Sequence, residues 1–211
     1  SIEDERKMGE EFLVQALAGA GYGVLAVNFT GSMGYGQEFM DAILGDWGGA
    51  PAQDVLMAVD QAVELGLADP GRIGVTGGSY GGFLAAYLTG QTDRFRAAVV
   101  CRAVLNQVSE YGTTDEQFFD ENDIPGTPWS NPDGYRRWSP LTYADKITTP
   151  TMPIHSDDDH RVPVGPAAAS VTAPPRHGVT AELIRFPRSV HALSLHGTPV
   201  LRRARLPHLL R

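Results

Sequence analysis

Along the chain, short apolar runs of strand length alternate with longer stretches whose apolar residues recur at helical spacing. Residues Glu11 to Leu17 have helical spacing and stop at Gly19 and Gly21, after which Val24-Leu25-Ala26-Val27 predicts a fully buried strand. Asn28 to Gly36 reads as a glycine-punctuated loop. Pro51 sits where a first helical turn tolerates it, ahead of Val55, Val59, Ala62 and Val63 on one face, and Asp69-Pro70-Gly71 is the turn predicted to end that helix. Arg72 to Thr76 predicts a strand, residues 83–90 a helix, and Phe95 to Val100 a second buried strand. Thr151 to His155 predicts a further strand, and Thr180 to Phe186 a last one by its alternation.

This rhythm implies parallel strands joined by helical crossovers, hence an α/β protein with a mostly parallel, doubly wound sheet and its ligand site at the carboxyl edge. The stretch 107–145 breaks the rhythm. It is rich in polar, aromatic and proline residues, and an excursion of this kind reads either as a cap that shapes a pocket or as surface packing. Pro174-Pro175 falls where a crossover helix is expected, and prolines there shorten or break it.

Composition narrows the class. The 211 residues suit one domain with a sizeable core, and the net charge of -8 argues against a nucleic-acid partner. The C-terminal arginines (Arg202, Arg203, Arg205, Arg211) read as a solvated helix face. Cys101 is the only cysteine, which excludes an intrachain disulfide and a cysteine-based zinc site, and its apolar surroundings predict a small buried core residue. The acidic start lacks the features of a signal peptide, and no apolar stretch approaches a membrane span. The expectation is a cytoplasmic protein with no membrane partner.

The run Gly77-Gly78-Ser79-Tyr80-Gly81-Gly82, directly after an apolar strand and before a helix-forming stretch, has the spacing of a nucleophile elbow. Ser79 stands at its apex, and the backbone amide of Tyr80 at the first turn of the helix is the expected oxyanion donor. A serine needs a histidine to take its proton and a carboxylate to hold that histidine. Among the six histidines, His191 lies just past the last strand, on the edge where such loops gather, with His196 as the alternative. The acid is expected after strand 151–155, where Asp157, Asp158 and Asp159 follow one another. Only one can face the histidine, and Asp159 is preferred for its place beside Arg161-Val162-Pro163. The same segment, from His155 to His160, permits a metal-site reading, although Asp157 stands where such a site needs a second histidine.

Asn28 to Gly36, Asp46-Trp47-Gly48-Gly49, the elbow, Ser109 to Asp115, Trp138-Ser139-Pro140-Leu141 and Asp159 to Pro163 occur in an order that resembles the catalytic domain of the prolyl oligopeptidase family of serine peptidases, in particular its acylaminoacyl-peptidase-like members. The resemblance runs from about Phe12 to the C-terminus. It implies an α/β-hydrolase fold that cleaves short peptides or acylated N-terminal residues through an acyl-enzyme. Ser79 matches the family nucleophile, Asp159 the acid, His191 the base and Tyr80 the oxyanion residue, and no metal or cofactor is expected.

The chain also departs from the pattern. It begins after the His-Gly-Gly-Pro type segment that supplies a second oxyanion donor, and it carries no propeller, so a single partial catalytic domain over 1–211 is expected. Thr30 replaces an arginine, Ser156 stands where glycine is frequent, and Arg188-Ser189-Val190 replaces a glycine-containing approach to His191. A small carboxylesterase or dienelactone-hydrolase-like enzyme, and a non-catalytic remnant, are the competing readings. Pocket candidates are Arg102, Tyr111, Phe118, Phe119, Trp129 and Arg161, with an ion pair as the alternative for each arginine. A missing upstream strand would leave an open sheet edge and permit a homo-oligomer.

Overall fold

The computed structural model describes residues 13–172 and 178–191 and, at 118–120, the backbone alone. The expectations on Glu11 and Phe12, the Phe118 and Phe119 side chains, Pro174-Pro175, His196 and the C-terminal arginines lie outside the described residues. Among the described residues four strands form one parallel sheet in the order β1 (Gly74–Gly78), β2 (Ala97–Cys101), β3 (Thr151–Ser156), β4 (Ile184–Phe186). The helices are α1 (13–19), α2 (Gln37–Asp41), α3 (Gly49–Glu64), α4 (Tyr80–Gln91), α5 (Gln107–Thr113), α6 (Gln117–Asp123), α7 (Pro132–Arg137) and α8 (Gly165–Ser170), with a 3-10 segment at Pro140–Lys146.

Helix α4 is the keystone. Residues Gly82 to Thr89 are all buried, because the helix packs on β1 and β2 along one side and on the 3-10 segment along another. A helix apolar all round has no solvent face, and this one is the centre of the core. Phe83 packs against Trp47, Tyr80 and Tyr87 at ring-centroid distances of 4.5, 5.5 and 5.7 Å. The separate motifs converge on this cluster. The Asp46 carboxylate accepts the amides of Gly49 and Ala50 at the start of α3, the Trp47 indole donates to Asp123, and the Trp47 carbonyl accepts the Tyr80 hydroxyl at 2.5 Å. Ser139 joins α5 to α7 by accepting the Gln107 amide and donating to the Tyr135 carbonyl.

Val24 to Val27 corrects the sequence reading. Residues 22–29 carry no regular structure, and Val24, Leu25 and Ala26 are exposed. A strand forms by pairing its backbone with a neighbour, and among the described residues nothing pairs with this run or with the outer edge of β1. The α3 helix ends at Glu64, with Gly66 at φ +71°, before the turn at Asp69. The last strand shortens to Ile184–Phe186, preceded by an isolated bridge at Ala181. Helix α8 ends at Ser170 after six residues, short for a crossover helix. Cys101 is buried at the end of β2, as its surroundings predict.

Candidate active site

The β1 strand delivers the chain to Ser79, whose backbone takes φ 58° and ψ -121° before α4 begins. A β-carbon strains this region, so the conformation persists only where the surroundings hold it. Here the Ser79 amide donates to the Cys101 carbonyl at the end of β2, and the Ser79 carbonyl accepts the Phe83 amide of the first helical turn. The close turn also explains the glycines. A Cβ on Gly77 would fall onto the Gly81 carbonyl, and one on Gly82 would stand 2.5 Å from the Cys101 oxygen.

His191 lies five residues beyond β4, and its Nε2 is 3.0 Å from Ser79 Oγ. Its Nδ1 is 2.8 Å from Asp159 Oδ2 and 3.1 Å from Oδ1. Asp159 has no exposed side-chain surface, and its Oδ1 also accepts the amides of Arg161 and Val162. A carboxylate with these donors only accepts, so the imidazole carries its proton on Nδ1 and turns the Nε2 lone pair to the serine hydroxyl. The neighbouring aspartates point elsewhere: Asp157 pairs with Arg185, and Asp158 is exposed. The Tyr80 amide opens α4 beside the serine. Its side chain turns away into the core, where burial, with Asp123 and Asp46 adding to it, pushes the phenol far above its usual range.

The structure brings Ser79, His191, Asp159 and Tyr80 together and distributes the pocket candidates. Arg102, at φ +41°, lies at the elbow with its guanidinium against Gly78. Trp129 is 81% exposed and meets the edge of Tyr111 at 5.7 Å. Tyr111 itself is a core residue, because its hydroxyl donates to Glu121 and its ring packs on Tyr135. Arg161 is held by Asp115 and Glu116, so its charge is engaged in pairing rather than presented to a pocket. Among the described residues no group of three or more His, Cys, Asp or Glu is arranged to hold a metal ion, and no helix is long and apolar enough to cross a membrane.

The sequence reading gave His155 a role only in the metal-site alternative, and the structure buries it against Asp159: its Nε2 lies 2.6 Å from the Val162 carbonyl and 3.5 Å from Asp159 Oδ2. Burial pushes this imidazole below its ordinary value, opposed by the Val162 hydrogen bond and by the Asp159 charge. Its place at the end of the strand that feeds the Asp159 turn is the sequence signal that marks it.

A parallel sheet with flanking helices and a serine on a strand-to-helix elbow defines an α/β-hydrolase fold, the class to which the solved structures it resembles also belong. The chain belongs to the prolyl oligopeptidase family, whose pattern its residues 10–206 match. It is 41% identical over 92% of its length to the uncharacterized peptidase YuxL of Bacillus subtilis, of which it covers 30%. It is 36% identical over 84% of its length to the acylamino-acid-releasing enzyme of Arabidopsis thaliana, of which it covers 24%. Among solved structures it resembles the acylaminoacyl peptidase of Pyrococcus horikoshii, with a TM-score of 0.79 and 31% identity over 84% of this chain and 30% of that one. The chain therefore spans less than a third of the length of these relatives.

Proposed function

We propose that this chain is the catalytic domain of a serine peptidase that cleaves short peptides or removes acylated N-terminal residues. His191 Nε2 takes the Ser79 proton while Oγ attacks the substrate carbonyl. The resulting oxyanion faces the Tyr80 amide at the positive end of α4, and Asp159 stabilises the imidazolium. The proton passes to the leaving amine, which departs and leaves an acyl-Ser79 ester. Water then attacks that ester with His191 as base, releasing the acid and restoring the serine.

The observation that carries the reading is the 3.0 Å approach of His191 Nε2 to a serine held at an αL-like φ, backed by a fully buried carboxylate. The substrate class is supported by family membership and by relatives named for releasing acylamino acids. The helices between 107 and 145 serve in this reading as a cap, with Trp129 on its exposed side. The chain acts as one domain, in the cytoplasm, where a sole buried thiol needs no oxidising compartment.

The test compares an acyl-aminoacyl p-nitroanilide with a p-nitrophenyl ester, using Ser79→Ala as control. Amide cleavage abolished by Ser79→Ala is the expected result. Ester turnover without amide cleavage would assign an esterase instead, and a folded chain inert to both would leave only the architecture.

A further inference from the structure

We infer that the last two residues of β3, His155 and Ser156, are positioning residues for the acid and the base: His155 holds the turn that carries Asp159, and Ser156 holds the segment that delivers His191. The inference rests on the serine-peptidase reading and adds two residues outside Ser79, His191, Asp159 and Tyr80.

Successive side chains of a strand point to opposite faces, so one strand end can reach two different loops. His155 is 1% exposed and reaches the acid side. A carbonyl only accepts, so its Nε2 carries the proton and donates to Val162 O at 2.6 Å. The Val162 amide in turn donates to Asp159 Oδ1 at 2.9 Å. One residue, Val162, thus connects the imidazole of His155 to the carboxylate that orients His191. The groups facing this imidazole are Asp159, His191 and Asp157, and its burial keeps it neutral, which is the form that donates through one nitrogen and carries no charge to compete for Asp159.

Ser156 reaches the base side. It has no exposed surface, and its Oγ donates to the carbonyl of Val190, the residue before His191, at 2.8 Å. The segment between β4 and His191 needs such a hold. It passes through Arg188 at φ +56°, and Val190 is 40% exposed although Ser189 before it is buried. Two backbone bonds share the task, from Asp157 N to Phe186 O and from Asp158 N to Ser189 O. The Ser156 bond reaches Val190, the residue before His191. The two departures noted in the sequence, Ser156 and Arg188-Ser189-Val190, therefore meet at one hydrogen bond.

The test measures kcat, KM and the rate of fluorophosphonate labelling of Ser79 in the unaltered chain, Ser156→Ala, Ser156→Gly, His155→Leu and His155→Gln, with near-ultraviolet circular dichroism to establish folding. Ser156→Gly removes the hydroxyl and installs the residue frequent at this place in the family pattern, and Gln keeps a donor at about the reach of Nε2. Misplacing a reacting group by about 1 Å can cost about a hundredfold. The expected result is a loss of about tenfold to a hundredfold in kcat and labelling rate for Ala, Gly and Leu, with KM unchanged and Gln restoring most of the rate. The downfield proton resonance of the Nδ1–H between His191 and Asp159 broadens in the three impaired variants and is kept in Gln. An unaltered chain that labels, alongside folded Ser156→Gly and His155→Leu chains that label equally fast, overturns the positioning role alone. An unaltered chain whose Ser79 does not label overturns the peptidase reading itself.

Discussion

Replacing Asp159 by asparagine changes one atom of a side chain with no exposed surface, and the structure sets what that change does. The carboxylate takes three donors: the amides of Arg161 at 3.1 Å and Val162 at 2.9 Å on Oδ1, and His191 Nδ1 at 2.8 Å on Oδ2. The asparagine oxygen keeps the two amides, which forces its NH2 group toward Nδ1. Two donors cannot share that contact, so the imidazole shifts its proton to Nε2 and presents N–H, not a lone pair, to Ser79. Tautomer loss of this kind costs about 10⁴-fold in kcat in a serine protease with the same arrangement. At about 1.4 kcal/mol per decade that is about 5 to 6 kcal/mol of transition-state stabilisation. The fold loses far less, because shape and two of the three hydrogen bonds survive, at a cost of about 1 to 3 kcal/mol. Steady-state hydrolysis of the acyl-aminoacyl anilide, with circular dichroism as the folding check, reads the effect. Asp157→Asn serves as the control and stays within about fivefold, since that residue pairs with Arg185 at the surface. A folded Asp159→Asn chain that keeps a tenth or more of the activity would refute the reasoning.

Phe83→Ala removes a wholly buried ring that touches Trp47, Tyr80 and Tyr87, and lowers stability by about 3 to 5 kcal/mol in urea unfolding. Asp46→Ala uncaps the first two amides of α3 and costs about 1 kcal/mol by the same measurement. His155 titrates below its ordinary value in the folded chain because it is buried, so the unfolded chain binds its proton first as pH falls. The stability it supports is complete above about pH 6.5 and is lost as pH drops from there toward the depressed folded-state value, so melting temperatures fall more between about pH 7 and about pH 5 in the unaltered chain than in His155→Gln.

Local sterics wrote the elbow into the sequence. Glycine at 77 and 82 is demanded by contacts within a few residues or with the adjacent strand, so spacing alone could be read. The candidate acid stands out among three aspartates because the turn before Val162 aims two backbone amides at one carboxylate and leaves Asp157 and Asp158 outside it. Val24 to Val27 was misread because apolar content says that a segment can be buried, whereas strand formation also requires a partner backbone. Tyr111 and Arg161 were named as pocket candidates because their types suit ligands; the Tyr111 hydroxyl donates to Glu121, and for Arg161 the ion pair given as the alternative is formed with Asp115 and Glu116. Ser156 read as a simple departure from the family pattern. Its bond to Val190 joins residues 34 positions apart, a contact no local pattern encodes.

Treating the folded chain with a fluorophosphonate and mapping the adduct by peptide mass spectrometry tests the central claim most directly. The account predicts one adduct on Ser79, lost in Ser79→Ala and slowed about a thousandfold or more when His191 is replaced by alanine. A folded chain whose Ser79 stays unmodified, or one in which His191→Ala labels as fast as the unaltered protein, would contradict it.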